Sequence, residues 1–413
     1  MMTREELLNE GVAAKFMRYV RIDTQSDDEA ASCPSTKGQL ELAELLKDEL
    51  QTLGLNHAVV DEYSFVTASL PSNLPQAAPV IGLLAHMDTA LGVSGKDVKP
   101  ILHQKYAGGD IVLPGGTIRY VENPLLAKNI GNDIITSDGD TLLGADNKAG
   151  VAEIMEALCR LIKDPKRPHG TVKVAFTPDE ETGKGILNFD VKKFGADYAY
   201  TLDGGELGEI EGENFNAANL RVTIHGISSH TGDAKGKMVN ALHVASELIA
   251  AIPAGMRPET TEKREGFIHP DTIEGSVEKV QMKVLLRDFE RDGLQKKAEI
   301  LRKSAEALQT KHPGARVEIE QVGGYQNMKV KLDEEPRVLE FALKAIREAG
   351  VAPAPNAVRG GTDGARLSYA GLLTPNLFTG GVNFHSRQEW ASVQWMEKAI
   401  EVVLNLIALW ARE

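Results

Sequence analysis

The sequence predicts an α/β protein in which a mixed, largely parallel sheet is flanked by helices, with a small ferredoxin-like α+β domain inserted into it. Two observations support this fold class. Strand and helix patterns alternate in the first half of the 413-residue chain, which is the order that builds a largely parallel sheet. From about residue 214 the order becomes strand-helix-strand-strand-helix-strand, which fits a ferredoxin-like module. We therefore expect a catalytic domain in two parts, 1–213 and 325–413, around an inserted lid and dimerisation domain, 214–324.

The N-terminal part begins with two helical patterns. The first runs from Thr3 to about Val20, and Thr3-x-x-Glu6 fits a capping box. The second runs from about Lys37 to Leu53, where leucines recur at three- and four-residue spacings and Gly54 is a suitable C-cap.

Three strand-like segments follow, each bounded by polar residues. Pro79–Ala85 is a short apolar run typical of a buried strand. Residues 91–140 are rich in Gly, Asp, Asn and Pro and are interpreted as a long irregular excursion, which in a compact domain is usually functional or mobile. A helix is expected after Asp146, and strands at Thr171–Phe176 and Tyr198–Leu202.

The remaining elements divide between the insertion and the C-terminal part. The insertion should contain, in order, the strand Leu220–Ile224, the helix Val239–Ile252, two strands within Thr272–Phe289, the helix Leu294–Leu308 and the strand Arg316–Val322. The first pattern then returns after Gly323-Gly324, with a helix near Glu335–Ala349, a strand near Asn376–Phe378 and a final helix near Val393–Leu409.

Composition excludes several classes of protein. The 46 Lys and Arg residues against 59 Asp and Glu give a formal net charge of −13, which makes a nucleic acid or an anionic membrane an unfavourable partner. The 2 cysteines are too few for a disulfide framework or a thiolate zinc cluster and fit a reducing compartment. The N-terminus lacks the pattern of a signal peptide, and no long apolar run is present, so we expect a cytoplasmic protein without a membrane span.

Acidic and imidazole side chains follow the predicted core strands. Because ligands gather outside the carboxyl ends of the strands in parallel α/β sheets, these side chains are candidates for one site. Nitrogen and oxygen ligands without thiolate suit zinc, manganese or cobalt. Their number favours two metals, and a carboxylate must then bridge the two mutually repelling cations. The candidates are His86, Asp88, Asp146, Glu180, Glu181, Asp203 and His385.

Each candidate also has an ordinary structural interpretation when it is taken alone. His86 and His385 fit a structural and a surface histidine, Asp146 fits a helix N-cap, and Asp203-Gly-Gly fits a turn. Glu180-Glu181 fits a solvated acidic pair. Their joint occurrence at successive strand ends of one domain favours the metal site.

Five motifs give the chain a family resemblance. It is similar to the peptidase T branch, or tripeptide aminopeptidases, of the co-catalytic di-zinc exopeptidases, a clan that also holds aminoacylases and glutamate carboxypeptidases. The resemblance covers essentially the whole chain and implies a zinc exopeptidase-like fold. The motifs, in the order of the family, are Gly82-Leu-Leu-Ala-His-Met-Asp-Thr89, Thr141-Leu-Leu-Gly-Ala-Asp-Asn-Lys-Ala-Gly150, Phe176-Thr-Pro-Asp-Glu-Glu181, Asp203-Gly-Gly205 and Phe378-Thr-Gly-Gly-Val-Asn-Phe-His385.

The resemblance implies a role for each residue of the site. Asp146 would bridge two zinc ions, with His86 and Asp203 on one ion and Glu181 and His385 on the other. Glu180 would be the general base. Asp88 would hold the far side of the His86 ring.

The resemblance also implies contacts to the substrate. His230, in His225-Gly-Ile-Ser-Ser-His230, would help to stabilise the oxyanion, in dimeric relatives from the opposite subunit; a strand-end histidine in a turn is the alternative. Arg287 and Arg359 would meet the substrate carboxylate through bidentate hydrogen bonds, with an ordinary salt bridge as the alternative. Asn214 and Asn383 are two further expected substrate contacts. Asn147, Thr231 and Gln388-Glu389-Trp390 depart from the family pattern and leave the substrate range open.

The expected function is hydrolysis of the N-terminal peptide bond of tripeptides by a zinc metallopeptidase. We expect two Zn²⁺ per subunit, with Mn²⁺ or Co²⁺ as alternatives, a short peptide as substrate, and a homodimer as one possible assembly. A related di-zinc dipeptidase, carboxypeptidase or N-acyl amino-acid amidohydrolase is the alternative, because it would keep the same metals and base. A metal-binding protein without activity is a third interpretation, which the presence of Glu180 beside all five ligands disfavours.

Overall fold

The computed structural model of the protein describes residues 2–413. Eleven α-helices and eighteen strands form in this part of the chain. The helices are α1 (Arg4–Asn9), α2 (Val12–Tyr19), α3 (Lys37–Thr52), α4 (Ala145–Lys163), α5 (Val191–Phe194), α6 (Ala241–Ala250), α7 (Arg291–Lys311), α8 (Lys329–Leu332), α9 (Arg337–Glu348), α10 (Asp363–Tyr369) and α11 (Val393–Trp410). The strands are β1 (Val59–Val60), β2 (Val66–Leu70), β3 (Ile81–His86), β4 (Ile101–His103), β5 (Ile111–Leu113), β6 (Gly116–Ile118), β7 (Ile134–Thr136), β8 (Val172–Thr177), β9 (Tyr198–Gly204), β10 (Glu209–Asn214), β11 (Asn216–His225), β12 (Phe267–Gly275), β13 (Lys279–Asp288), β14 (Arg316–Tyr325), β15 (Ala354–Val358), β16 (Asn376–Phe378), β17 (Gly381–Val382) and β18 (Trp390–Ser392).

The chain forms two compact units. The first unit contains the residues up to Gly212 together with Val330–Asn356 and Thr362–Glu413, and the second contains Glu213–Lys329 and Ala357–Gly361. The second unit therefore includes a short segment from the C-terminal part of the sequence.

An eight-stranded sheet with the order β1-β2-β8-β3-β9-β16-β10-β15 forms the centre of the first unit. The neighbours β8, β3, β9 and β16 run parallel, whereas β2 and β10 are antiparallel to their inner neighbours. The expected mixed, largely parallel sheet is thus confirmed. In its register His86 pairs with Thr177, so β3 and β8 end at the same level of the sheet.

Helices cover this sheet with apolar side chains. Helix α4 contacts β3 and β9 and also packs against α2 and α11, and nearly all of its side chains are buried. A strand that is covered on both faces of the sheet needs a continuous apolar sequence. Strand β3 is of this kind, because every one of its residues is buried. Trp410 at the end of α11 donates a hydrogen bond from Nε1 to the hydroxyl of Tyr200 at 3.0 Å, which ties the last helix to β9.

Two parts of the first unit differ from the expectation. The segment Thr3–Val20 forms two helices, because Gly11 between them has φ of 73° and breaks the first pattern. The supposed irregular excursion at 91–140 contains β4, β5, β6 and β7, and β4 and β7 belong to a four-stranded sheet with β17 and β18. These strands are three residues long, which is too short to show a periodicity of two.

The second unit is built on a four-stranded antiparallel sheet with the order β12-β13-β11-β14. Helices α6 and α7 pack against this sheet. Along the chain the order is β11, α6, β12, β13, α7 and β14, which confirms the ferredoxin-like arrangement. Its core is a separate cluster of aliphatic side chains that includes Val222, Val244, Val284 and Leu301.

None of the helices within 2–413 has the length and apolar character needed to cross a lipid bilayer. Cys33 and Cys159 are both free thiols.

Candidate metal centre

The strand-end side chains of the first unit meet where the parallel strands finish. His86 is the last residue of β3, and Asp203 is the penultimate residue of β9. Asp146 lies at the start of α4, where its φ and ψ of −85° and 101° are not helical. Because β8, β3 and β9 are parallel neighbours, their carboxyl ends deliver these side chains to one edge of the sheet.

Two groups of three possible ligands form at this edge, and they share one carboxylate. One group is His86, Asp146 and Asp203, and the other is Asp146, Glu181 and His385. The ligand atoms of each group lie within 4.8 Å of one another. Asp146 is therefore placed where a bridging ligand between two cations would be.

The two oxygens of Asp146 face different imidazoles. Its Oδ1 lies 2.8 Å from Nε2 of His86, and its Oδ2 lies 2.9 Å from Nε2 of His385. Nε2 of His86 is also 3.3 Å from Oδ1 of Asp203, and Nε2 of His385 is 2.9 Å from Oε1 of Glu181. Ligand atoms bound to a tetrahedral zinc ion at about 2.0–2.2 Å are separated by roughly 3.3 Å. The separations in the structure are close to that spacing.

Burial of a Glu181 oxygen also favours a cation here. Oε1 of Glu181 is buried, and its ion-pair partner is Nε2 of His385 at 2.9 Å. A buried carboxylate is costly unless a cationic group or a metal ion meets it. The donor set of imidazole nitrogen and carboxylate oxygen therefore fits two divalent ions.

Asp88 supports the site from behind His86. Nδ1 of His86 lies 3.1 Å from the backbone oxygen of Asp88 and 3.2 Å from its Oδ1. An Nδ1–H that donates there leaves the lone pair of Nε2 for a metal. The same carboxylate accepts backbone N–H bonds from Glu180 at 3.0 Å and Glu181 at 3.1 Å. Asp88 thus fixes a histidine and the segment of both glutamates together.

A second set of contacts holds the glutamate segment through Asp179. Asp179 is buried with φ of 55°, and its carboxylate accepts hydrogen bonds from the backbone N–H and the hydroxyl of Ser35 and from Nε2 of Gln39. Its own N–H donates to Oε1 of Gln39 at 3.0 Å. The start of α3 therefore clamps the residue directly before Glu180. These partners are about 140 positions away in sequence, so no local pattern reveals them.

Glu389 is another supporting residue that the sequence does not reveal. Its carboxylate accepts backbone N–H bonds from Leu143 at 2.7 Å, Gly144 at 2.8 Å and Asp146 at 3.1 Å. Burial raises the pKa of Glu389 to about 7, against the effect of these three donors. Glu389 holds the turn that leads into Asp146. The only sequence signal is its position four residues after His385.

The crowded carboxylates shift the pKa values of the site. Burial alone would lower the pKa of His86, but Asp203, Asp146 and Asp88 raise it well above its usual range. Contacts with Asp146 and Glu181 raise the pKa of His385 to about 10. Burial, together with neighbouring carboxylates, raises the pKa of Glu180 well above its usual range. A concentration of negative charge of this kind attracts cations.

Two more buried carboxylates lie in this region and were not expected as site residues. Oδ2 of Asp363, at the start of α10, accepts a hydrogen bond from the hydroxyl of Thr177 at 3.1 Å. Burial raises the pKa of Asp363 to about 7. Oε2 of Glu211 accepts a hydrogen bond from Asn376 at 2.9 Å, and burial raises the pKa of Glu211 to about 8.

The predicted substrate contacts are distributed over both units. Asn383 belongs to the first unit, where its Nδ2 donates to Oδ1 of Asn123 and to the backbone oxygen of Gln388. Asn214, His230, Arg287 and Arg359 belong to the second unit. Asn214 is buried and accepts a hydrogen bond from the N–H of Met328 at 2.6 Å. His230 is exposed.

The two arginines among the predicted substrate contacts already have partners within the second unit. Nη1 of Arg287 donates to Oδ1 of Asn219 at 3.0 Å and to the backbone oxygen of Leu286 at 2.9 Å. Nη1 of Arg359 donates to the backbone oxygens of Lys263 at 2.7 Å and Glu265 at 2.9 Å. The guanidinium of Arg359 also lies over the ring of Phe215, 5.2 Å from its centroid.

Comparisons with known proteins agree with this architecture. Residues 138–409 match the model of peptidase family M20/M25/M40. Peptidase T from Halothermothrix orenii is 47% identical over 403 residues, which cover 97% of this chain and 99% of that protein. The crystal structure of the aminopeptidase PepT from Bacillus cereus superposes with a TM-score of 0.74 at 25% identity, and that of a tripeptidase from Staphylococcus aureus with 0.75 at 22%, each over 100% of both chains.

The expected resemblance is thus confirmed by a family match over most of the chain and by a near full-length relative. The chain belongs to peptidase family M20/M25/M40, among its peptidase T members, and is a metallopeptidase.

Proposed function

We propose that this enzyme is a di-zinc aminopeptidase that hydrolyses the N-terminal peptide bond of tripeptides. The observation that carries the proposal is the position of Asp146, whose two oxygens face His86 and His385 at 2.8 and 2.9 Å. One carboxylate between two nitrogen-and-oxygen ligand groups is the arrangement that a pair of divalent ions requires. The names of the relatives, peptidase T, aminopeptidase and tripeptidase, support the substrate class.

In this proposal the five ligands fall into the two groups that the structure forms. His86 and Asp203 would hold one ion, Glu181 and His385 would hold the other, and Asp146 would be shared by both, with Mn²⁺ or Co²⁺ as alternatives to Zn²⁺. Two such ions would lower the pKa of a water molecule and polarise the scissile carbonyl. Asp88 keeps His86 in the tautomer that such a site needs.

Glu180 is the proposed general base. Unlike Glu181, whose Oε1 lies beside His385, the Glu180 carboxylate has no hydrogen bond or ion pair within 2–413. Its backbone is nevertheless fixed, because its N–H donates to Asp88. A positioned but unpaired carboxylate can take a proton from the attacking water and deliver it to the leaving amine.

The remaining predicted roles are part of the same proposal. His230 would stabilise the oxyanion, and Asn214, Arg287, Arg359 and Asn383 would contact the peptide. The second unit would act as a lid and could mediate a homodimer, with His230 acting within or between subunits.

The experiment that tests this proposal compares Glu180→Gln with the zinc-reconstituted wild type on alanine peptides of two, three and four residues. We expect the wild type to prefer the tripeptide. The variant should lose roughly 10²- to 10⁴-fold in kcat, because it lacks a general base. Glu348→Gln, on the exposed side of α9, is the matched control, and elemental analysis should find equal zinc in all three proteins.

Different results would separate the alternatives. Equal rates on all three peptide lengths would contradict tripeptide selectivity. Cleavage of N-acetyl amino acids without action on free-amine tripeptides would favour an N-acyl amino-acid amidohydrolase. A Glu180→Gln variant with normal kcat would remove Glu180 from the role of base.

A further inference from the structure

An open cavity of about 690 Å³ adjoins the metal centre within the first unit. The loop after β17, 383–388, forms one side of it, and the segment 92–94 forms the other. His385, which belongs to one of the two ligand groups, is part of the lining. A peptide whose scissile bond lies at the metal centre would therefore have neighbouring residues in this cavity.

Arg387 is the one arginine or lysine in this lining. The apolar parts of the wall come from Val93 and Phe384, and the other polar side chains are neutral apart from His385. A guanidinium is permanently charged and presents a planar fork that matches a carboxylate. The guanidinium of Arg387 therefore gives the cavity a group that can bind an anion.

Arg387 has no side-chain partner within the described residues 2–413. It is exposed, and among residues 2–413 its side chain makes neither a hydrogen bond nor an ion pair. This distinguishes it from Arg287, which binds Asn219 and a backbone oxygen, and from Arg359, which binds backbone oxygens of the second unit. The donors of Arg387 remain free for a ligand.

The distance along the chain suits a short peptide. Arg387 is two positions after His385, so their Cα atoms lie at most about 7 Å apart. In an extended tripeptide the terminal carboxylate is two residues beyond the first carbonyl, which is also at most about 7 Å. The backbone of Arg387 therefore lies within one tripeptide length of the backbone of a proposed metal ligand.

We propose that Arg387 forms a carboxylate-binding subsite in this cavity and determines substrate specificity. The ligand is a carboxylate of a short peptide, supplied either by its C-terminus or by an acidic side chain. This inference rests on the proposed peptidase function and adds a residue and a chemical preference to it. Arg387 acts on the substrate and not on the metals.

The test is the steady-state kinetics of the zinc-reconstituted full chain and its Arg387→Gln variant on three peptides: trialanine, trialanine amide and Ala-Glu-Ala amide. Loss of a charge-assisted contact should lower kcat/KM for the carboxylate-bearing substrate by roughly 10- to 100-fold. Trialanine amide should change by less than about twofold, since it offers no carboxylate. Arg387→Lys should retain part of the preference, because it keeps the charge but not the fork.

Arg412→Gln, which removes the same charge from an exposed position near the C-terminus, is the matched control. A loss confined to trialanine identifies the C-terminus as the source of the carboxylate, and a loss confined to Ala-Glu-Ala amide identifies the side chain. Equal losses on all three peptides, or no loss on either carboxylate-bearing peptide, would overturn the subsite. If the wild type cleaves none of them, the proposed function itself has failed.

Discussion

Ser35 and Gln39 show how single residues outside the ligand set can position Glu180, the proposed general base. They hold the carboxylate of Asp179, whose backbone has a positive φ, and Asp179 directly precedes Glu180. The left-handed conformation at Asp179 is uncommon for a residue with a side chain and persists only where its surroundings fix it. The hydrogen bonds from Ser35, just before α3, and from Gln39 in its first turn supply that constraint.

We expect Ser35→Ala to lower kcat by roughly 10- to 100-fold with little change in KM, because a small displacement of a reacting group is enough for such a loss. Steady-state kinetics on a tripeptide would measure it, with zinc content determined on the same samples. Ser35→Thr retains the hydroxyl and should recover most of the activity. If Ser35→Ala lost zinc, or raised only KM, the role in positioning Glu180 would be wrong.

At the scale of elements, the sequence predicted the helices and strands that are long enough or apolar enough to show a pattern. The strand Asn376–Phe378 forms with the predicted bounds, and α11 extends the predicted helix by one residue to Trp410. The short strands β4 to β7, the strand β10 and the edge strand β15 were not predicted. These strands are short or partly exposed, and β10 pairs with a strand that is distant in sequence, so local propensity carries little information about them.

The residues of the candidate site also fall into those that the sequence predicted and those that it did not. His86, Asp146, Glu181, Asp203 and His385 could be proposed because parallel strands deliver their ends to one edge. Asp179 and Glu389 could not, since each acts through contacts to residues that the fold brings close from far along the chain. In the sequence Gln388-Glu389-Trp390 is only a departure from the family pattern, whereas in the structure Glu389 holds the turn before Asp146.

Helix α4 carries a buried carboxyl group that makes stability depend on pH. Glu153 is fully buried, and neither carboxyl oxygen has a hydrogen bond within 2–413. Burial, assisted by the charge of Glu397, raises the pKa of Glu153 well above its usual range. The folded chain therefore binds this proton more tightly than the unfolded chain, and stability is lost as the pH rises from the unfolded pKa, about 4.3, towards the folded one.

Glu153→Gln removes this ionisation, so its stability relative to the wild type should increase with pH by up to about 1.4 kcal/mol per pH unit and level off above the folded pKa. Urea unfolding of both proteins at pH 5 and pH 8 would measure the difference between their free energies of unfolding. The titration of the other groups cancels in this difference. Glu41→Gln makes the same change at an exposed position of α3 and is the control. A difference that did not change with pH would contradict a raised pKa at Glu153.

At the scale of the whole molecule, part of the excess negative charge has a local use. Two divalent cations would reduce the magnitude of the formal net charge of −13 by four, and all of their proposed ligands belong to the first unit. The second unit has its own apolar core. Metal binding should therefore stabilise one unit of the molecule without acting directly on the other.

We expect zinc in excess over its dissociation constant to raise the thermal unfolding midpoint of the chelator-treated wild type by roughly 3–5 °C, because a ligand at about 100 times its Kd adds about 2.7 kcal/mol. Asp146→Asn should lose most of this shift, since Asp146 is common to both ligand groups. Asp271→Asn, at an exposed position of the second unit, should retain it.

Hydrogen exchange should slow around β3 and β9 on adding zinc and stay unchanged in β11 and β13. An equal zinc shift in wild type and Asp146→Asn would contradict the bridging role, because a carboxylate shared by two cations cannot be replaced by a neutral amide without loss of affinity.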